Sequence, residues 1–172
     1  MSELLGDTRD LHTSRVAFRA VITVTGSSAS GHVPLTSLPG FRHLLSARAS
    51  ARIVSETLTC QVIGPASATK AVSCHVAVLP ATCQVWPVSP PEILTIGGCA
   101  FVQHSLFVAP SVAPLAFAPE VAHQLKPTPV FGQPPEVVYH CTITGGAATD
   151  SAYICIIGDI EVDGIGFVQS WA

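Results

Sequence analysis

Cys74 and His75 are sequence neighbours, and a thiol activated by an imidazole would do acyl-transfer chemistry. The surrounding run from Ala71 to Leu79 is apolar and β-prone. Successive side chains of a strand point to opposite faces, so the imidazole cannot reach the sulfur. Cys74 belongs in a core with Val76 and Val78, and His75 points outward. A metal is no better served. The six cysteines (Cys60, Cys74, Cys83, Cys99, Cys141, Cys155) form no Cys-x-x-Cys pair, and the seven histidines (His12, His32, His43, His75, His104, His123, His140) are scattered singly. Zinc modules depend on close ligand pairs. Glycine-rich nucleotide loops, His-Glu-x-x-His and Gly-x-Ser-x-Gly are likewise missing. No catalytic residue, cofactor or metal ligand is predicted.

The remaining side chains with chemistry are charged, and their placement is uneven. All six arginines (Arg9, Arg15, Arg19, Arg42, Arg48, Arg52) precede position 53, where only Glu3, Asp7 and Asp10 oppose them. Beyond it, Lys70 and Lys126 stand against eight acids. Such asymmetry predicts that one end of the molecule meets a polyanion or an acidic neighbour. The histidines add a pH response: if all seven titrate freely, the net charge moves from −3 toward about +4 between about pH 7 and pH 5.

Charge is also sparse. Charged residues make up 11% of the chain and hydrophobic residues 48%, whereas ordinary domains carry roughly 25% charged residues. A monomer of this mass should expose about 8,000 Å², which so few charges cannot cover. Large apolar patches on such a surface call for partners, so obligate self-assembly is expected. The longest charge-free run, Ile93 to Pro119, is broken by Pro110, Pro114, Gly97 and Gly98 and does not read as a membrane span. The acidic start, Met1 to Asp7, lacks the basic region and apolar core of a signal peptide. With no sign of secretion, and with five of the six cysteines inside apolar β-like runs, free buried thiols are expected rather than disulfides.

Eight strands must position these residues. Arg15 to Thr25 alternates cleanly, with Val16, Phe18, Ala20, Ile22 and Val24 on one face. A turn-rich stretch, Gly26 to Gly31, precedes an extended piece at Val33 to Leu38, and Phe41, Leu44 and Leu45 mark a short helix in Gly40 to Ser50. The other strands are Ile53 to Ile63, Ala71 to Leu79, Gly98 to His104, Val112 to Ala118, Glu136 to Thr144 and Tyr153 to Val162. Pro119 to Pro135 reads as a proline-rich ordered loop, with room for a helical turn at Glu120 to Leu125. Short strands joined by long connections, with one early helix, predict an all-β, eight-stranded jelly-roll sandwich. The expected organisation is a flexible N-terminal arm over residues 1–14, one domain over 15–168 and a tail over 169–172. A lectin-like or trimeric ligand-type binding module shares that architecture. Low aromatic content, 6%, with Trp86 and Trp171 the sole tryptophans, argues against a sugar platform.

The order of segments resembles a known group. Glu56-Thr-Leu-Thr-Cys-Gln-Val-Ile-Gly-Pro65, Val72-Ser-Cys-His-Val-Ala-Val-Leu-Pro80, Val85-Trp86-Pro87, Gly97-Gly98-Cys-Ala-Phe and the later runs at 112–120, 135–144 and 152–160 are similar to the coat proteins of tymoviruses, marafiviruses and maculaviruses. The resemblance spans roughly Pro34 to Gly166 and rests on collinearity. It implies pentamers and hexamers of an icosahedral, T=3-like shell around single-stranded, positive-sense RNA, in a virion assembled inside the host cell. Arg9, Arg15, Arg19 and Arg52 are the residues expected to face the lumen and the RNA. Roughly 180 copies would bring about 540 positive charges from their N-terminal thirds against thousands of phosphates. Polyamines or other cations must then neutralise most of the genome. Tymoviruses place a histidine directly after the arginine that matches Arg52; here Ile53 stands there, and His43 is the nearest substitute.

Overall fold

The alternation at the start of the chain decides where the interior lies. In β1 (Thr13–Thr25), Phe18, Ala20, Ile22 and Val24 are buried, while Arg15, Ala17, Arg19 and Thr23 are exposed. The computed structural model describes residues 13–39, 51–80, 86–116 and 135–163. Its further strands are β2 (Ser28–Pro34), β3 (Ala51–Ile63), β4 (Ala71–Leu79), β5 (Ala100–Ser105), β6 (Val112–Pro114), β7 (Glu136–Thr144) and β8 (Ser151–Asp163). They form two four-stranded sheets, in the orders β1-β8-β3-β6 and β2-β7-β4-β5, with every pairing antiparallel. Every consecutive pair of strands except β4 and β5 crosses from one sheet to the other. That crossing pattern is the jelly roll expected from the sequence.

One core fills the space between the sheets. Leu58, Cys60, Val62, Ile154 and Ile156 on the first sheet meet Val72, Cys74, Val76, Val102, Val137, Cys141 and Ile143 on the second. Where β3 leaves register with β8, between Val54 and Thr59, Leu58 drops into the interior. Gly158 makes room for it, because a Cβ there would lie 2.7 Å from Leu58 Cδ2. A smaller cluster, Ala77, Val138 and Ile93 with Leu79, Trp86, Ile96 and Cys99 against it, covers the outward side of the second sheet. Ile93 comes from α1 (Pro90–Leu94). The Glu92 carboxylate accepts from the Ser89 N–H at 3.2 Å and from its hydroxyl at 2.7 Å, closing the first turn.

The elements differ from expectation in a few places. The turn between β1 and β2 is only Gly26-Ser27, and the stretch expected as a turn as far as Gly31 is mostly strand. Its small residues obscure the period of two: Ala29 packs on the core, and Gly31 lies under Tyr139, whose hydroxyl would stand 3.1 Å from a Cβ. The extended piece at Val33 to Leu38 holds the end of β2 and a 3-10 turn, Leu35–Ser37. Pro90-Pro91, a dipeptide whose composition reads as strand-bounding turn chemistry, begins α1, where proline's fixed φ suits the first helical positions. The early helix at Gly40 to Ser50 falls outside the described residues, as does almost all of the loop Pro119 to Pro135 with its helical turn. β1 begins at Thr13, inside the segment expected as an arm; residues 1–12 and 164–172 are outside the described set.

Candidate nucleic-acid interface

Arg15 and Arg19 lie four positions apart on β1, both exposed on the side away from the core. A strand rises about 3.4 Å per residue, which spaces them by about 13 Å. Arg15 is in register with Glu161 of β8, and Glu161 with Arg52 of β3. Three adjacent strands thus carry the row Arg15, Glu161, Arg52, which spans about 10 Å. Two residues along, the register row is Ala17, Asp159, Val54, and Arg19 follows opposite Ile157. Arg9 and His43 lie outside the described residues.

This topology rearranges the charge asymmetry of the sequence. The basic first third supplies β1 and the start of β3, and the acidic last part supplies β8, which sits between them. The acidic neighbour of the arginines is therefore, in part, the chain's own last described strand. Acid thus alternates with base along that register row. Nothing in the sequence alone put Glu161 between Arg15 and Arg52. The signal available was the β-pattern at both ends, which left open which strands pair.

The cysteine chemistry considered above is absent from the geometry. Cys74 is fully buried on the core side of β4, and His75 is on the other side of the strand. The partner of Cys74 is Cys141, its register neighbour on β7. Their hydrogen bond, followed by burial, pushes the Cys74 thiol well above its ordinary value. Burial, with Cys155 nearby, pushes Cys60 up to about 12. Protonated thiols are neither nucleophiles nor metal ligands. Among the described residues, Cys60, Cys74, Cys99, Cys141 and Cys155 are unbridged.

Three of the four described histidines, His32, His75 and His140, lie on the outward side of the second sheet, a grouping their sequence positions do not suggest. His75 and His140 are directly opposed across β4 and β7. Burial, then the charge of His140, holds His75 below its ordinary value. Its ring packs on Phe101 of β5 at 4.8 Å between centroids. His140 Nε2 meets the Thr142 hydroxyl at 3.2 Å, while its Nδ1 is buried with no hydrogen-bond partner among the described residues. Nearer α1, His32 stacks on Trp86 at 4.9 Å and pairs with Glu136. No group of three or more His, Cys, Asp or Glu able to hold a metal occurs among the described residues. No helix among them is long and apolar enough to cross a membrane.

No protein-family model matches this sequence, and no curated protein matches it. Solved structures do. Desmodium yellow mottle tymovirus superposes with a TM-score of 0.65 at 16% identity, covering 95% of this chain and 88% of that one. Turnip yellow mosaic virus gives 0.59 at 13% identity over 92% and 99% of the two chains. Tobacco necrosis virus gives 0.55 at 10% identity over 87% and 95%. Two four-stranded sheets in this order, matched along nearly the whole chain, give this protein the viral jelly-roll fold of the tymovirus capsids.

Proposed function

We propose that this chain is the coat subunit of an icosahedral virus, a structural protein without catalysis, which assembles with copies of itself into a T=3-like shell around single-stranded, positive-sense RNA. The observation that carries the reading is the near full-length likeness to tymovirus structures. The sparse charge supports it independently, because 11% charged residues leave a surface suited to burial against neighbours. Arg15 and Arg52 in the row that holds Glu161, and Arg19 two register rows on, face the RNA, with Arg9 and His43 contributing from the lumen side. Because acids interrupt that row, polyamines or other cations carry most of the neutralisation. The protein resides in the virion.

Electron microscopy of the purified protein, with its absorbance ratio at 260 and 280 nm, tests this. Isometric shells with excess absorbance at 260 nm are expected. A uniform monomer or trimer at every concentration refutes the reading. Replacing Arg15, Arg19 and Arg52 together by Gln should lower RNA per particle while shells persist. Unchanged RNA content refutes the assignment of the row.

A further inference from the structure

Two of the four described histidines have neighbours that account for them. His32 pairs with Glu136 and stacks on Trp86, and His104 Nδ1 accepts from the Gly64 N–H at 3.4 Å. His75 and His140 have no such explanation. They are register partners on β4 and β7, both half-buried on the side of the second sheet away from the core. Directly opposed residues of an antiparallel pair root their side chains about 5 Å apart on one face. Phe101 of β5 backs the His75 ring at 4.8 Å between centroids, and it does so from the far side, since β4 lies between β7 and β5. The Thr142 hydroxyl meets His140 Nε2 at 3.2 Å. Each ring is thus steadied by a residue outside the pair.

The strands around the pair offer it no charge. Ser30 is in register with His140, and Phe101 with His75; the next row on this face is Ser28, Thr142, Ser73 and Gln103. Glu136, four residues along β7 and so about 13 Å away, is engaged by His32. His140 Nδ1 is buried and has no hydrogen-bond partner among the described residues. A buried polar atom left so is uncommon and costs stability. An imidazole nitrogen that bears no proton is a lone-pair donor. Two rings rooted about 5 Å apart can lean together on one cation, which holds such nitrogens at about 2.0–2.1 Å.

We propose that His75 and His140 form a binding site for a late first-row divalent cation of the class of Cu²⁺, Ni²⁺ and Zn²⁺, each ring giving one nitrogen and water completing the shell. In the bound form His140 Nε2–H donates to the Thr142 hydroxyl, which leaves Nδ1 to the metal. A ligating histidine is ordinarily oriented in this way, by a hydrogen bond from its other ring nitrogen. Imidazole suits these metals, and Cu²⁺ should bind tightest of the three. Mg²⁺ and Ca²⁺ call for shells of oxygen ligands, with carboxylates foremost, and this face offers none beside the pair. The ligands come from strands distant in sequence, so no close-spaced motif announces them. With two protein ligands and open positions the site exchanges its metal and is not a folding staple. The inference is independent of the coat-subunit reading, because it concerns one sheet of one chain.

Isothermal titration of the full chain with Ni²⁺ at about pH 7.5, where imidazoles are mostly neutral, tests this. Wild type is compared with His75→Gln, His140→Gln and His32→Gln, each first checked by a circular dichroism melt without metal. His75→Gln and His140→Gln should each weaken binding by at least about 10-fold, and His32→Gln should leave it unchanged. A second measurement needs no variant and decides the matter if one melts early. Cu²⁺ below one equivalent, with ascorbate and oxygen, oxidises the histidines that hold it, and mass spectrometry locates the added oxygen. It should fall on His75 and His140, not on His104. Ni²⁺ binding that is absent from the wild type, equal in either folded variant, or matched by Mg²⁺ overturns the proposal. Oxidation confined to other histidines does the same.

Discussion

Gly145 and Gly26 offer a matched experiment on the end of the sandwich where the loops meet. Both have positive φ, 67° and 97°, so an alanine at either site pays a backbone cost of about 1–3 kcal/mol. Their surroundings differ. A Cβ at Gly26 meets nothing within 4 Å, whereas one at Gly145 would lie 2.1 Å from the Thr69 carbonyl oxygen. Relieving that overlap requires a shift of about 1 Å, since carbon and oxygen seldom approach closer than about 3.2 Å. Thr69 cannot give easily. Its N–H donates to the Ser67 hydroxyl, Ser67 and Lys70 exchange backbone hydrogen bonds, and Lys70 is held by Asp150. Overpacking against such a neighbour adds about 1–3 kcal/mol. In urea titrations of the protein, Gly145→Ala should therefore lose about 2–6 kcal/mol, and Gly26→Ala only the first part. If Gly145→Ala is no less stable than Gly26→Ala, the close approach of the two loops is wrong.

Other perturbations probe other layers. Ile154→Ala, at a fully buried site between the sheets, should cost about 2–5 kcal/mol in the same titration; a loss below about 1 kcal/mol would contradict a packed core there. His75 is held below its ordinary value of 6.5, so the unfolded chain takes up its proton more readily, and stability falls as pH drops below 6.5. The slope stays below about 1.4 kcal/mol per pH unit, the limit for one proton, because the ring is only partly shielded from solvent. His75→Gln should flatten melting temperature against pH between 5 and 7, and an unchanged profile would clear His75. Asp150 is held below 3.8 first by the hydrogen bond from Lys70 and then by the Ala147 N–H, so its contribution is present above that pH and lost in stronger acid. Lys70→Met should shift acid unfolding to higher pH; no shift would show that the pair adds nothing to folding.

Legibility in the sequence followed contrast. β4 and β7 have the bounds their patterns predict, because apolar runs there end at proline or glycine. β2 was obscured because Ser, Ala and Gly carry too little hydrophobic contrast to reveal a period of two. α1 was hidden by Pro90-Pro91, which reads equally as a turn or as a helix start. The arginines could be named from the sequence, and Arg15 and Arg19 could be placed on one face, since their spacing is even. Their interleaving with Asp159 and Glu161 could not be foreseen, because it depends on β8 lying between β1 and β3. The facing of His75 and His140 has the same origin: strand register is settled by the packing of all the strands together.

β8 pairs with β1 along all of its length and with β3 on its other edge, so the middle of the first sheet comes from the last described strand. Thr13 finds its partner only in Asp163. On a ribosome, β1 and β3 wait as two unpaired edges while the second sheet and its hairpins are being made. Such sequence-distant pairing slows folding and leaves strand edges open to the wrong partners. It also sets an order of events. The first sheet, whose outward face carries Arg15 and Arg19, is completed only when β8 arrives, so a nascent chain has no finished outward surface there until the segment ending at Asp163 has been made.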